Sequence, residues 1–540
     1  MAEVLSAACV PPTFHGIGLF GGEVLSVTTN LVTNFTAWGL DIFRFTQPTI
    51  PVQNATFCNV TVSYTHPGQN DNTIVETWLP IENPSWNNRF QAAGGGGWAT
   101  GRWALSYETM KGAIGDGYAT STTDAGLGSA LDPSEWALIS PGNVNWYKLN
   151  NFASVSLNDQ AIISKALIKR FYGKGPAFSY WNGCSQGGRQ GLMLAQRYPT
   201  AYDGISAGAP VLYSSLTGMS LYWPQEVMNR LKTYPYGCEM DAISAAAITA
   251  CDELDGVTDG IVSDVDACLR SFNPFQLIGT LVPDCRQAGN RTVEIGTAAA
   301  VVVNATWHGI VTAKREPTWY GLSPGTYISN EGGAGGFETP GIASTKCSNG
   351  TCVGNPNSMA MSWMKYFLAR GDPNFDAAEM TYAEFDDMVR IGRQIYRSVM
   401  DTDDPDLTRF RDAGGKMVTF HGLWDTLVPP NATRRYHSEI SALLPDTDSF
   451  YRHFEVPGLG HCWGHASGQP TSLFDQLRAW VENGTAPEQT PVDIKALDGS
   501  THHRILCPYP QTARFDKEAC GDPADTQCWS CDAGAGAGDL

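Results

Sequence analysis

The chain has 540 residues, 42% hydrophobic and only 16% charged, with a formal net charge of −19. That length and apolar content fit one large folded domain plus a substantial second one, and exclude a disordered chain. The negative charge excludes nucleic-acid and membrane-surface binding by repulsion, and no run of about eighteen apolar residues is present to cross a bilayer.

The N-terminus, Met1-Ala2-Glu3-Val4, has neither a charged start nor a long apolar run. It reads as a mature chain with an added start methionine, the signal peptide being excluded. Eight Asn-x-Ser/Thr sequons, at Asn34, Asn54, Asn59, Asn290, Asn304, Asn349, Asn431 and Asn483, accompany 14 cysteines. Together they point to an oxidising secretory route and an extracellular, glycosylated protein. Of the cysteines, Cys528 and Cys531 come nearest to a zinc pattern and lack a second pair.

Up to about Pro210 short apolar runs alternate with helical patterns, as in parallel α/β units. Arg89 to Ala93 is strand-like and leads into Gly94-Gly95-Gly96-Gly97. Ala177 to Trp181 reads as a buried strand, and Gly187 to Tyr198 as a helix with Leu192, Leu194, Ala195 and Tyr198 at helical spacing. Ala207-Gly208-Ala209-Pro210 closes the next strand. From about Leu212 to Asp404 the texture changes: sequons, a Gly-rich stretch from Glu331 to Gly336 and six cysteines gather there. Met417 to Phe420 and a helix from Leu473 to Val481 then resume the α/β pattern. The expected organisation is a catalytic domain in two parts, 1–211 and 405–540, divided by an inserted domain over 212–404. The acidic run Asp401 to Asp406 is expected as a solvated face at the return of the insertion, and the tail Ala533 to Leu540 as frayed.

Gly183-Cys184-Ser185-Gln186-Gly187 is a G-x-S-x-G sequence between a predicted strand and a predicted helix. Glycines are needed there because the elbow is too tight for side chains, and the turn presents the serine oxygen at the sheet edge. A helix N-terminus also favours developing negative charge. A serine nucleophile needs a base and the base an orienting carboxylate, which α/β-hydrolases supply in the order Ser, Asp, His. Asp425 follows the strand at Met417 to Phe420, and His461 lies in the Gly-rich turn Val456-Pro457-Gly458-Leu459-Gly460-His461-Cys462. His421 is the rival base; four residues before Asp425, it reads as a structural residue of the strand end. His502 and His503 read as solvent-facing. An oxyanion hole needs two backbone N–H groups. Gln186 would supply one, and the glycine run, at Gly96 or Gly97, the other. Without a following Lys-Ser/Thr, that run is a weak nucleotide loop.

Cys184 precedes the candidate nucleophile and Cys462 follows the candidate base. If Ser185 and His461 meet, their cysteine neighbours come close enough to bridge. By chain-entropy reasoning, so long a loop gives on the order of 5 kcal/mol.

With these residues, Gly183 to Gln190, the block Tyr202 to Pro210 and the block Phe420 to Pro429, the chain resembles the tannase and feruloyl esterase family over nearly its whole length. The resemblance implies an α/β-hydrolase core with a large inserted lid domain. It further implies a serine esterase acting on aromatic acids: hydroxycinnamates on plant cell-wall sugars first, gallate in tannins second. One departure is Asp124-Ala125-Gly126-Leu127, where leucine stands in place of an expected histidine.

Cys251 to Ile261 carries three carboxylates at three- and four-residue spacing among glycines. Hard cations take such oxygen sets, although taken alone an Asp/Gly loop is more often a solvated turn. The resemblance implies a structural calcium ion held by Asp252, Asp255 and Asp259 and the carbonyls of Val257 and Ile261. Cys251–Cys268 would staple that loop. Cys9–Cys58 is expected at the N-terminus, Cys347–Cys352 as a short loop, and Cys238 with Cys285 as the remainder. Cys507, Cys520, Cys528 and Cys531 allow three connectivities. Monomer and homodimer are both compatible with the sequence. The reading from another class is a calcium-dependent carbohydrate-binding protein on a hydrolase scaffold that has lost catalysis. Every triad position being filled argues against it.

Overall fold

A computed structural model describes residues 2–331, 341–495, 499–518 and 520–532. Most of the Gly-rich stretch and the tail from 533 onward lie outside the described residues.

Nine strands form one central sheet, numbered here in chain order: β1 Glu23–Gly39, β2 Ile50–Thr65, β3 Thr73–Glu82, β4 Arg89–Ala93, β5 Ala119–Thr123, β6 Phe178–Cys184, β7 Gly204–Gly208, β8 Lys416–Gly422 and β9 Tyr451–Val456. Their spatial order is β1-β2-β3-β5-β4-β6-β7-β8-β9. From β5 to β9 every neighbouring pair is parallel. The first three strands depart from the expected parallel units, because β1 with β2, β2 with β3 and β3 with β5 all run antiparallel. For β2 and β3 the connection dictates this: residues 66–72 are too few for the crossover that a parallel pair requires.

The parallel strands are buried on both faces, so they read as apolar runs rather than as an alternation. Tyr180 and Trp181 of β6 and Met417 and Val418 of β8 are fully buried. Between β7 and β8 the described residues add no strand to this sheet. They form helices such as Ser214–Leu231, Thr297–His308 and Tyr382–Met400, together with two small hairpins, Leu281–Cys285 with Arg291–Glu294 and Thr345–Ser348 with Thr351–Gly354. The expected solvated acidic run is not uniform. Asp401 is buried and accepts from Ser215 N–H at 2.7 Å and Ser215 Oγ at 2.6 Å, which the charge pattern alone could not reveal.

Seven disulfides join all the cysteines. Cys9–Cys58, Cys184–Cys462, Cys238–Cys285, Cys251–Cys268 and Cys347–Cys352 match the expected pairs, and the open set resolves as Cys507–Cys531 and Cys520–Cys528. Among the described residues no helix is long and apolar enough to cross a membrane.

Candidate active site

The candidate residues all follow the C-terminal ends of parallel strands: the glycine run after β4, Ser185 after β6, Asp425 after β8 and His461 after β9. Open α/β sheets bind ligands at this edge. Between β6 and the helix Gln186–Arg197, Ser185 sits alone at the corner with φ 63° and ψ −119°. Such a backbone costs a residue with a Cβ about 1–3 kcal/mol and persists only where its surroundings enforce it. Here Ser185 N–H donates to Gly208 O at 2.9 Å and its carbonyl accepts from Arg189 N–H at 2.9 Å. Glycine is obligatory beside it, since a Cβ on Gly183 would lie 2.7 Å from the Gly187 carbonyl.

Asp425 is fully buried. Its Oδ1 accepts from the N–H groups of Leu427 at 2.8 Å and Val428 at 2.7 Å, and its Oδ2 lies 2.7 Å from His461 Nδ1. Because a carboxylate only accepts, the pairing puts a proton on His461 Nδ1 and leaves Nε2 as the basic nitrogen. Burial alone would raise the Asp425 pKa. The adjacent His461 and His421 outweigh it and hold the carboxyl well below the usual carboxylate range. His421, expected as a structural residue, reaches the same carboxylate, with Nε2 3.2 Å from Oδ2. Of the two other histidines, His503 is exposed as expected, whereas His502 is half-buried.

Cys184 and Cys462 are bonded, with Cα atoms 6.0 Å apart across 278 residues of sequence, so the elbow and the His461 turn are covalently joined. Ser185 and His461 both line one cavity, of about 80 Å³. Its walls are apolar, from Trp98, Phe152, Leu221, Met359, Trp363 and Met400; away from Ser185, Gln186 and His461 the polar side chains are Ser214 and Thr217. Sequence reasoning did not find these wall residues, which are ordinary apolar positions scattered over three hundred residues. Leu127, the departure from the family pattern, packs into the core and does not line the cavity.

The glycine run is resolved more finely than expected. Gly94 N–H donates to Asn182 O at 3.0 Å, Gly95 N–H to Gln190 Oε1 at 2.9 Å and Gly96 N–H to Ala99 O at 3.0 Å. Gly96 therefore has no free donor, a correction imposed by its own tight turn. Gly97 lines the cavity beside Gln186.

In the loop after Cys251, Asp252 accepts from the N–H groups of Asp259, Gly260 and Ile261 at 3.0, 2.8 and 3.2 Å. Arg504 reaches in from the hairpin Thr490–Lys495 with Thr501–Leu506, bonding Asp259 and lying 3.6 Å from Asp255 Oδ2. Three carboxylates against one guanidinium leave two negative charges. Asp255 Oδ2 is buried without a hydrogen-bond partner, and among the described residues the Val257 and Ile261 carbonyls accept no hydrogen bond. Burial raises the Asp259 pKa, Arg504 opposes the rise, and Asp255 and Asp252 add to it. The donor set and its unbalanced charge fit a divalent, oxygen-preferring ion. Among the described residues the one cluster placing three ligating side chains within 4.8 Å is Cys238, Cys285 and Glu331, and its cysteines are disulfide-bonded. The three aspartates of the loop are thus not drawn to a single point, Arg504 holding two of them.

Sheet order, strained elbow and the Asp425–His461 pair define an α/β-hydrolase with a serine at its nucleophile position. Residues 58–530 match the family described as tannase and feruloyl esterase, and the chain belongs to that family. A probable feruloyl esterase of Arthroderma benhamiae is 36% identical over 496 residues, covering 90% of this chain and 87% of that protein. A tannase of Aspergillus oryzae is 29% identical over 508 residues, covering 84% and 82%. The solved structure of tannin acyl hydrolase from Aspergillus niger superposes with a TM-score of 0.83 at 26% identity, covering 98% of this chain and 94% of that one.

Proposed function

We propose that this protein is a secreted serine esterase that hydrolyses esters of aromatic acids, with feruloyl esters of plant cell-wall polysaccharide as the first substrate class and galloyl esters as the second. The carrying observation is the cavity: Ser185 and His461 stand in the wall of an apolar pocket that Trp98, Phe152 and Trp363 also line. Such a slot buries a ring and leaves the ester carbonyl at the serine. The two wall hydroxyls, Ser214 and Thr217, donate to Val211 O and Tyr213 O and so can only accept from a substrate phenol. The single phenol of ferulate leaves fewer donors unpaired than the three vicinal hydroxyls of gallate, which would be buried at a cost.

His461 Nε2 takes the Ser185 proton as Oγ attacks the carbonyl carbon, and the tetrahedral oxyanion is met by the N–H groups of Gln186 and Gly97. His461 then protonates the leaving alcohol. Water, deprotonated by the same nitrogen, attacks the acyl carbonyl; the acyl–Oγ bond then breaks, His461 returns the proton to Ser185 Oγ, and the acid leaves. Asp425 fixes the imidazole tautomer and stabilises its cation. The segment 212–404 acts as a lid, since Leu221, Met359, Trp363 and Met400 wall the slot. Asp252, Asp255 and Asp259 with the carbonyls of Val257 and Ile261 would hold a calcium ion, whose positive charge would offset the two uncompensated carboxylates of the loop. Asn34, Asn54, Asn290, Asn349 and Asn483 are exposed sequons fit for glycans, whereas Asn59 donates to Glu76 at 3.0 Å and is held.

Turnover of methyl ferulate and methyl gallate by the wild type and by Ser185→Ala tests the reading. Hydrolysis of ferulate above gallate, abolished in the variant, is expected. Activity surviving in the variant would overturn the mechanism, and inactivity on every aromatic ester would favour the carbohydrate binder.

A further inference from the structure

Arg189 lies one helical turn beyond Ser185 and is fully buried. Among the described residues it makes no ion pair with a carboxylate. The acid whose charge acts on it, Asp401, gives its oxygens to Ser215 instead. A buried guanidinium without a counter-ion is expensive, so its hydrogen bonds carry the explanation for its presence. Those bonds converge on the site. Nε–H donates to Gln186 Oε1 at 2.9 Å, Nη2–H to Phe152 O at 3.2 Å, and Nη1–H to Ala153 O at 3.0 Å and Met400 O at 3.5 Å.

The four partners belong to three segments of the chain. Gln186 is the residue after Ser185. Phe152 and Ala153 belong to the π-helical turn Asn151–Val155, an irregular element of the kind that recurs at functional sites. Met400 is the last residue of the helix Tyr382–Met400 of the inserted segment. Phe152 and Met400 are both cavity walls, and the guanidinium also stands 5.6 Å from the Phe152 ring centroid. A planar fork with five donors can join three backbone directions at once, which an ammonium on a flexible stem cannot.

We propose that Arg189 is a positioning residue for acyl selectivity, clamping the Phe152 and Met400 walls to the Ser185 elbow so that an aromatic acyl group is seated against the nucleophile. This rests on the reading of the cavity as the acyl site. In this arrangement Arg189 touches no substrate. Its loss displaces the far wall while leaving Ser185, His461, Asp425 and the Cys184–Cys462 bond in place.

The test compares kcat/KM for p-nitrophenyl ferulate and p-nitrophenyl acetate, which share a leaving group, in the wild type, Arg189→Lys and Arg189→Met, with thermal melting of each protein. The acetyl group is too small to need the walls. The ferulate-to-acetate ratio is expected to fall at least tenfold in both variants, with acetate hydrolysis changed much less and KM for ferulate raised. Phe152→Leu, which leaves Arg189 intact, should move the ratio in the same direction. An unchanged ratio, or an equal loss on both esters, overturns the proposal, as does failure of both Arg189 variants to fold. A wild type that does not prefer ferulate to acetate refutes the acyl-site reading itself, and that outcome is read before any variant is made.

Discussion

His421 Nε2 lies 3.2 Å from Asp425 Oδ2, the same oxygen that faces His461 Nδ1 at 2.7 Å. His421 is fully buried; its Nδ1 is 2.8 Å from Thr433 Oγ1 and its Nε2 3.2 Å from Val428 O. With the hydroxyl donating to Nδ1, the proton sits on Nε2 and is shared between Asp425 and the carbonyl. Asp425 is thus fixed from behind by an imidazole that cannot reach Ser185 through it. A hydrogen bond to a charged group is worth about 1.5–3 kcal/mol. His421→Phe is therefore expected to lower kcat by roughly tenfold or more, with little change in KM for methyl ferulate. Full activity in a folded variant would remove His421 from the catalytic support.

The Cys184–Cys462 bond joins the two loops that must meet for proton transfer. Replacing both cysteines by alanine should lower stability by up to about 5 kcal/mol if the denatured chain is the main thing constrained. It should also lower kcat, because the His461 turn is then held to the elbow only by non-covalent contacts. Melting temperature and kcat measured on the double variant check this, and a variant equal to the wild type in both would refute the pinning role.

Sequence carried the elbow, the order Ser185, Asp425, His461 and the bridge between their neighbours, because each is a local pattern enforced by a tight turn. It carried less where the determinant is three-dimensional. His421 was legible as a strand-end residue, but its contact with Asp425 depends on how the loop after β8 folds back. Gly96 was expected as an N–H donor, yet its own turn to Ala99 uses that group. Arg189 stands in the family signature, and nothing in its neighbours along the chain announces that it binds carbonyls 36 and 211 residues away. The antiparallel start of the sheet was missed because short apolar runs look alike in both kinds of strand.

Calcium removal should reach the catalytic turn through packing. A Cβ on Gly458 would lie 3.0 Å from Ile261 Cδ1, so the end of the acidic loop rests against the turn that carries His461. An ion that binds only the folded state adds about 2.7 kcal/mol at a hundred times its dissociation constant. A chelator is expected to lower the melting temperature, and added calcium to restore it while magnesium restores less. Asp255→Asn should melt lower than the wild type in calcium and respond less to the chelator. Identical melting with and without chelator, in protein shown to be metal-free, would reject the ion.

Alkaline pH should loosen the wall that Phe152 belongs to. His66 Nδ1 lies 2.6 Å from Asp71 Oδ2 and its Nε2 3.1 Å from Asp159 Oδ2, while Asn151, at the start of the π-turn, donates to Asp71 Oδ2 at 2.9 Å. The hydrogen bond to Asp159 and then that to Asp71 outweigh desolvation and raise the His66 pKa to about 9. A histidine whose folded pKa lies above its unfolded value of about 6.5 gives its full stabilisation below that value and loses it as pH rises through the folded one. The linkage gives an upper figure of about 3 kcal/mol. The melting temperature of the wild type is therefore expected to fall between about pH 7 and 9.5, and that of His66→Gln to start lower and fall less over the same range. Parallel curves for the two proteins would show that His66 is not the group being titrated.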